Sequence, residues 1–256
     1  MDSLSNGTRS DTRQPVASSL PADSQVCPRC KGAGYTRKDA PYGHPDFGKI
    51  EKCVCKLAAE REKRKQVLLC FSQLAPLAEK TFASFNRLVP GTQEAYAAAW
   101  EYAHRPDGWL LLIGTNGCGK THLAAAVANM LLEQDRAVLF TTVPDLLDYL
   151  RAAYAPTSAV PYDSLYISMR EVDVLVLDDL GAQQTTPWAE EKLFQLINHR
   201  YVCRSPTIIT TNHIRLYSIN ERIRSRLLDA GLVRSVTFDK GVSDYRPKNI
   251  RKTSER

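Results

Sequence analysis

GTNGCGKT, residues 114–121, stands between the apolar run WLLLI (109–113) and the alanine-rich stretch HLAAAVANML (122–131). The octapeptide fits G-x-x-x-x-G-K-[ST], and a strand running into that pattern with a helix leaving it is the setting in which it cradles phosphate. Gly114, Gly117 and Gly119 let the backbone curl, so that the N–H groups of the loop, Thr115, Asn116 and Cys118 included, converge on phosphate oxygens. The helix N-terminus adds positive partial charge. In this arrangement Lys120 reaches the β- and γ-phosphates of a nucleotide, and the Thr121 hydroxyl ligates Mg²⁺.

Outward from the loop, short β-branched or leucine-rich runs alternate with longer helical ones. AVLFTT (137–142), DVLVL (173–177), PTIIT (206–210) and SVTF (235–238) are the further strand candidates, with helices at roughly 120–134, 145–154, 187–202 and 217–229. Runs that are apolar almost throughout suit strands buried on both faces. This pattern predicts an α/β P-loop fold, a parallel sheet with helices on both faces. Pro187 is well placed to start the third helix.

The strand DVLVL leads into Asp178 and Asp179, which places both carboxylates at the sheet edge where ligands bind. Asp178 fits a Mg²⁺-holding role. Asp179 falls where a carboxylate would orient the attacking water, although an aspartate is one methylene shorter than the glutamate usual there. PTIIT leads into Thr211 and Asn212; the Asn212 amide would meet the terminal phosphate or the lytic water if this strand lay beside the phosphate-loop strand. Thr and Asn are also ordinary turn formers.

GTNGCGKT, LVLDDLG, TIITTN and ERIRSRL (221–227), in this order, resemble AAA+ helicase loaders of the DnaC/DnaI type and the related IstB-type transposition helpers, over about residues 80–240. The resemblance implies ATP as the nucleotide, with Asn212 as sensor 1, Arg226 as an arginine finger acting on a neighbouring subunit and Arg222 as its companion. It places TFASFN (81–86) near the adenine and suggests Arg246 as sensor 2. Arg222 and Arg226 share a helix face; a solvated, salt-bridged face involving Glu221 is the alternative reading. Only 16 residues follow position 240, too few for a helical lid domain, and such loaders are similarly lidless.

The 256 residues allow one such domain plus a small appendage and exclude a large multidomain motor. Residues 1–26 are polar and aperiodic, a disordered leader without the apolar stretch of a secretory signal. No apolar run approaches a membrane span, so the expected location is cytoplasmic, with no membrane partner. Residues 27–55 form the next module, 56–80 a linker helix that opens with KLAAEREKRKQVLLCF, 81–240 the ATPase and 241–256 a basic tail. The net charge of +6 is uneven: residues 29–65 carry 11 basic and 5 acidic groups and 240–256 carry 6 and 2, whereas 66–239 carry 15 and 18. Positive ends suit a polyanion such as nucleic acid, and equally suit simple solubility.

Cys27-x-x-Cys30 and Cys53-x-Cys55 are two close pairs able to close a tetrahedral Zn²⁺ site, the second pair reading as residues on one side of an extended strand. His44 is a substitute ligand, and a redox or fortuitous arrangement is the other option. Between the second and third strands, residues 143–172 hold Tyr149, Tyr154, Tyr162 and Tyr166 with Arg151 and Arg170. The resemblance implies a DNA-lining helix here, where bases would stack on aromatics; tyrosines at helical spacing also serve as core.

The expected function is therefore a slow, assembly-dependent ATPase that binds single-stranded DNA and loads a hexameric replicative helicase during DNA replication. The rivals are a transposition helper recruiting a transposase and a non-hydrolysing, ATP-stabilised adaptor.

Overall fold

The computed structural model describes residues 26–155, 160–184, 186–239, 242, 244 and 245; the expected leader and the proposed sensor 2, Arg246, lie outside them. The chain divides into two compact units, Met1–Ala59 and Glu60–Arg256.

In the first unit, β1 (Tyr35–Arg37) and β2 (Ile50–Lys52) pair antiparallel, with Tyr35 opposite Lys52. Helix α1 (Val54–Phe71) begins here and ends in the second unit. There it is followed by a single 3₁₀ turn at Ala75–Leu77 and by α2 (Gln93–His104).

The second unit then alternates strand and helix: β3 (Trp109–Ile113), α3 (Lys120–Glu133), β4 (Val138–Thr142), α4 (Val143–Ala152), α5 (Tyr162–Glu171), β5 (Val174–Leu180), α6 (Pro187–Val202), β6 (Thr207–Thr211), α7 (His213–Ser218), α8 (Glu221–Leu227) and β7 (Val233–Thr237). The five strands form one parallel sheet in the order β4-β5-β6-β3-β7. Alternation along β3 distributes its side chains between two cores. Trp109, Leu111 and Ile113 join the core that includes α4, α5, α6 and α8, while Leu110 and Leu112 pack with α2 and α3. All five residues are buried, which is why this run reads as continuously apolar.

Two elements depart from expectation. The strand expected to end before the aspartates runs on to Leu180 through a bulge, since its register against β6 shifts between Leu177 and Leu180. The helix expected over 217–229 is two short helices. Ile219 is extended, and the Asn220 side chain accepts the Arg222 N–H at 3.0 Å to start α8 afresh.

Arg200, on α6, is fully buried. Its guanidinium donates to Thr207 Oγ1 (2.9 Å) and to the carbonyls of Arg170 (2.9 Å), Val172 (3.0 Å) and Pro206 (2.6 Å), tying α6 to the starts of β5 and β6. Burial pushes its pKa down to about 10, so it remains charged at neutral pH. Arg200→Leu would strand these acceptors without donors. It should lower the unfolding free energy by about 3 kcal/mol in urea titration; a loss below about 1 kcal/mol would mean that water replaces the guanidinium.

Candidate functional site

The phosphate loop leaves β3 at the C-terminal edge of the sheet and ends at Gly119, whose φ of +107° opens α3 in a conformation that L side chains rarely adopt. A Cβ at this position would also come within 2.9 Å of the Phe85 ring. Lys120, nearly buried, donates to the carbonyls of Gly114 (3.0 Å) and Thr115 (2.8 Å). The Thr121 hydroxyl lies 3.1 and 3.0 Å from the two carboxylate oxygens of Asp178.

Strand β6 separates β5 from β3, and its Thr210 bridges the two aspartates. The Thr210 hydroxyl donates to Asp178 Oδ1 at 2.6 Å and accepts the Asp179 N–H at 2.9 Å. Asp179, at the bulge, has a φ of +58°. Its carboxylate receives Arg215 Nη1 at 2.5 Å. Beyond β6, Asn212 accepts the Ile214 N–H at 3.1 Å to cap α7, and its amide nitrogen lies 3.5 Å from Asn116 Oδ1 in the phosphate loop.

Asn116, Lys120, Thr121, Asp178, Asp179, Thr210 and Arg215 line one cavity of about 680 Å³, together with Phe85, Val89 and Tyr245, a volume within the range of small-molecule sites; Asn212 is not among the described residues that line it. The Tyr245 N–H donates to Gly117 O (3.2 Å) and Thr115 Oγ1 to Val242 O (3.3 Å), so the segment after β7 crosses the loop. Of the TFASFN aromatics, Phe85 faces the cavity, whereas Phe82 is buried with Tyr96 and Trp100. His122 Nε2 lies 2.9 Å from Thr81 O and 3.2 Å from Ser84 Oγ, tying that segment to the first turn of α3.

Arg222 and Arg226 are not among the described residues that line the cavity. Arg226 donates to Asn198 Oδ1 (2.9 and 2.6 Å) and lies over the rings of Phe194 and Tyr201, while Arg222 lies 3.5 Å from the Phe194 centroid and 3.8 Å from Glu191. Sequence reasoning missed Arg215 and the bridging role of Thr210. A basic residue three positions beyond Asn212 was the only signal for the former.

Tyr149, Tyr162 and Tyr166 pack against the core. Tyr162 stacks between Tyr154 (4.1 Å) and Tyr166 (5.7 Å). Tyr154 is half exposed at the end of this column, with Arg151 over Trp188 and Lys192 over Tyr162 nearby.

In the first unit, the Sγ atoms of Cys27, Cys30, Cys53 and Cys55 lie within 4.8 Å of one another and could hold a metal ion. Cys27 and Cys53 are 3.8 Å apart, Cys30 and Cys55 3.4 Å, close to the edge of about 3.8 Å that a tetrahedral Zn–S₄ site requires. The Cys55 thiol and the Gly34 N–H lower the pKa of Cys30; the same contact with Cys30 raises that of Cys55. Cys55 lies in the first turn of α1 rather than in an extended strand, so helix geometry turns it toward Cys30. His44 instead accepts the Asp46 N–H at 3.1 Å in a turn, apart from the cluster.

A model of the IstB-like ATP binding protein family matches residues 48–230. The chain belongs to this family. Among its relatives, the replicative helicase loader DnaC of Escherichia coli (strain K12) is 27% identical over 188 residues, covering 71% of this chain and 76% of that relative. The crystal structure of the DnaC helicase loader superposes with a TM-score of 0.57 at 22% identity, over 64% of this chain and 99% of that one. The replication initiator DnaA bound to AMPPCP and single-stranded DNA gives a TM-score of 0.56 at 18% identity, over 69% and 56%. The IstB-like chain thus carries a DnaC-like AAA+ fold. No helix among its described residues is long and apolar enough to cross a membrane.

Burial raises the pKa of Asp178, opposed by the hydroxyls of Thr210 and Thr121. The folded state therefore holds this proton more tightly than the unfolded chain, and stability falls as pH rises from the ordinary carboxylate value through the folded pKa. Thr210→Val removes a donor that binds the ionised carboxylate more strongly than the neutral acid, and orphans the Asp179 N–H at every pH. Metal-free urea unfolding should show a loss of about 2 kcal/mol at neutral pH that shrinks near pH 4. A loss independent of pH would assign the whole effect to the Asp179 N–H.

Proposed function

We propose that this chain is an ATP-hydrolysing helicase loader: it binds ATP and Mg²⁺, assembles into an oligomer, engages single-stranded DNA and delivers a hexameric replicative helicase. What supports this reading is a glycine-rich loop and two carboxylates lining one cavity, with two arginines on α8 outside that cavity. Lys120 and the loop N–H groups, from Gly114 to Thr121, neutralise and orient the phosphates. Thr121 and Asp178, already in contact, are the groups to hold Mg²⁺, which supplies further charge neutralisation. Asp179 orients the attacking water, and Asn212 contacts the terminal phosphate. Arg226, steadied by Asn198 and Arg222, stabilises transition-state charge in the next subunit's site, so hydrolysis waits on assembly.

The half-exposed Tyr154, backed by stacked Tyr162 and flanked by Arg151 and Lys192, supports stacking of a flexible single strand. The four cysteines support one Zn²⁺ per chain, in a unit too small to rest on an apolar core alone. Exposed Tyr42, Phe47 and Ile50 on that unit suit a protein partner, and we assign them to the helicase.

Arg226→Ala should bind ATP nearly normally and hydrolyse it poorly. Mixed with Lys120→Ala, which contributes an intact finger but no phosphate loop, it should regain part of the DNA-stimulated phosphate release. No regain, with subunit exchange confirmed, would remove the trans role. Purified replicative helicase should be retained by the immobilised chain; retention of a transposase instead would favour the transposition helper, and absence of any phosphate release the adaptor.

Elemental analysis of natively purified protein should find about one Zn per chain. Cys53→Ser should lower that occupancy. A metal-free wild-type protein would remove the site.

A further inference from the structure

The motifs assign no task to Arg215, yet three features of the fold are arranged around it. The Asn212 cap fixes the first turn of α7, which carries it. Gly181, the last residue of LDDLG, has a φ of +92°, and a Cβ there would approach Arg215 Cβ to 2.7 Å, so that glycine leaves room for the arginine stem. The bulge in β5 holds Asp179 at φ +58° with its N–H on Thr210, and Arg215 Nη1 meets its carboxylate at 2.5 Å.

Both partners also line the cavity with Lys120, Thr121 and Asp178. Their side chains keep 34% and 46% of their exposure, for Arg215 and Asp179 respectively. An ion pair that wet is weak and exchangeable. A terminal phosphate offers a guanidinium more charge than one carboxylate does, and oxygens spaced for two parallel hydrogen bonds.

We propose that Arg215 is a sensor, in the same subunit, of the terminal phosphate. Without that phosphate the guanidinium is held by Asp179. With it, the guanidinium moves to the phosphate and frees the Asp179 carboxylate to accept a hydrogen bond from the attacking water. ADP, lacking the group, leaves Asp179 paired. The inference rests on the nucleotide reading of the cavity and deepens it.

The test is calorimetric titration of a non-hydrolysable ATP analogue and of ADP, each with Mg²⁺, into the full chain. Arg215→Gln should weaken the analogue about tenfold, as loss of a charge-assisted hydrogen bond implies, and ADP less than about twofold. Arg215→Lys should recover part of the preference for the analogue. Asp179→Asn removes the competitor and should tighten the analogue when Arg215 is present but not in the Arg215→Gln background, a non-additivity that mere anchoring of α7 would not produce.

Equal losses for both nucleotides, or an Asp179→Asn effect independent of Arg215, would overturn the sensor. Should Arg215→Gln fail to fold by circular dichroism, the Lys variant and Asp179→Asn decide: no change of the analogue-to-ADP ratio in either refutes it. Lys120→Ala is the control for the underlying reading. If it still binds both nucleotides normally, the nucleotide assignment falls, and the sensor with it.

Discussion

A buried threonine hydroxyl, that of Thr210, holds the candidate site together. It donates to one carboxylate and accepts the backbone N–H of the next residue, two bonds that one hydroxyl makes at once. The hydroxyl ties the carboxylate strand β5 to β6, and β6 in turn pairs with β3, the strand that feeds the phosphate loop. The bulge at Asp179 is tolerated there because its orphaned N–H finds an acceptor. Asp178 can then turn toward Thr121 while Asp179 reaches Arg215.

The charged residues fall into two physical kinds. Arg200 is fully buried and bound to neutral oxygens on every side, which makes it a fixed part of the frame. Asp179, Arg215 and Arg222 keep substantial contact with water, in pairs that bind weakly. Only groups of the second kind can change partners at little cost. Asp179 and Arg215 stand at the cavity and Arg222 on α8, where the proposed cycle of nucleotide binding, assembly and hydrolysis needs exchange. The small first unit shows another balance: a short hairpin with Cys30 and Cys53 buried offers little core, and a metal tying four thiolates would replace what burial cannot supply.

Reading the sequence succeeded where the determinant was local. Strand β3 and the VLVL start of β5 are apolar runs because both of their faces are covered, and the phosphate loop is legible because its glycines, lysine and threonine lie within eight residues. The end of β5 was misread, since a bulge depends on register against β6 rather than on its own residues. The helix over 217–229 was misread because Asn220 was not recognised as a cap. Cys55 was placed on a strand because spacing alone does not tell a strand end from a first helical turn.

The amino-acid sequence by itself determined the parallel α/β class, the place of the phosphate loop, the identity of the two aspartates and the four candidate metal-binding cysteines, all properties of short-range pattern. Only the tertiary structure decided that Thr210 bridges the aspartates, that Asp179 faces Arg215 thirty-six positions away and that three of the four tyrosines pack against the core. Such contacts depend on strand order and register, which are set by how distant segments pack and are written in no single stretch of chain.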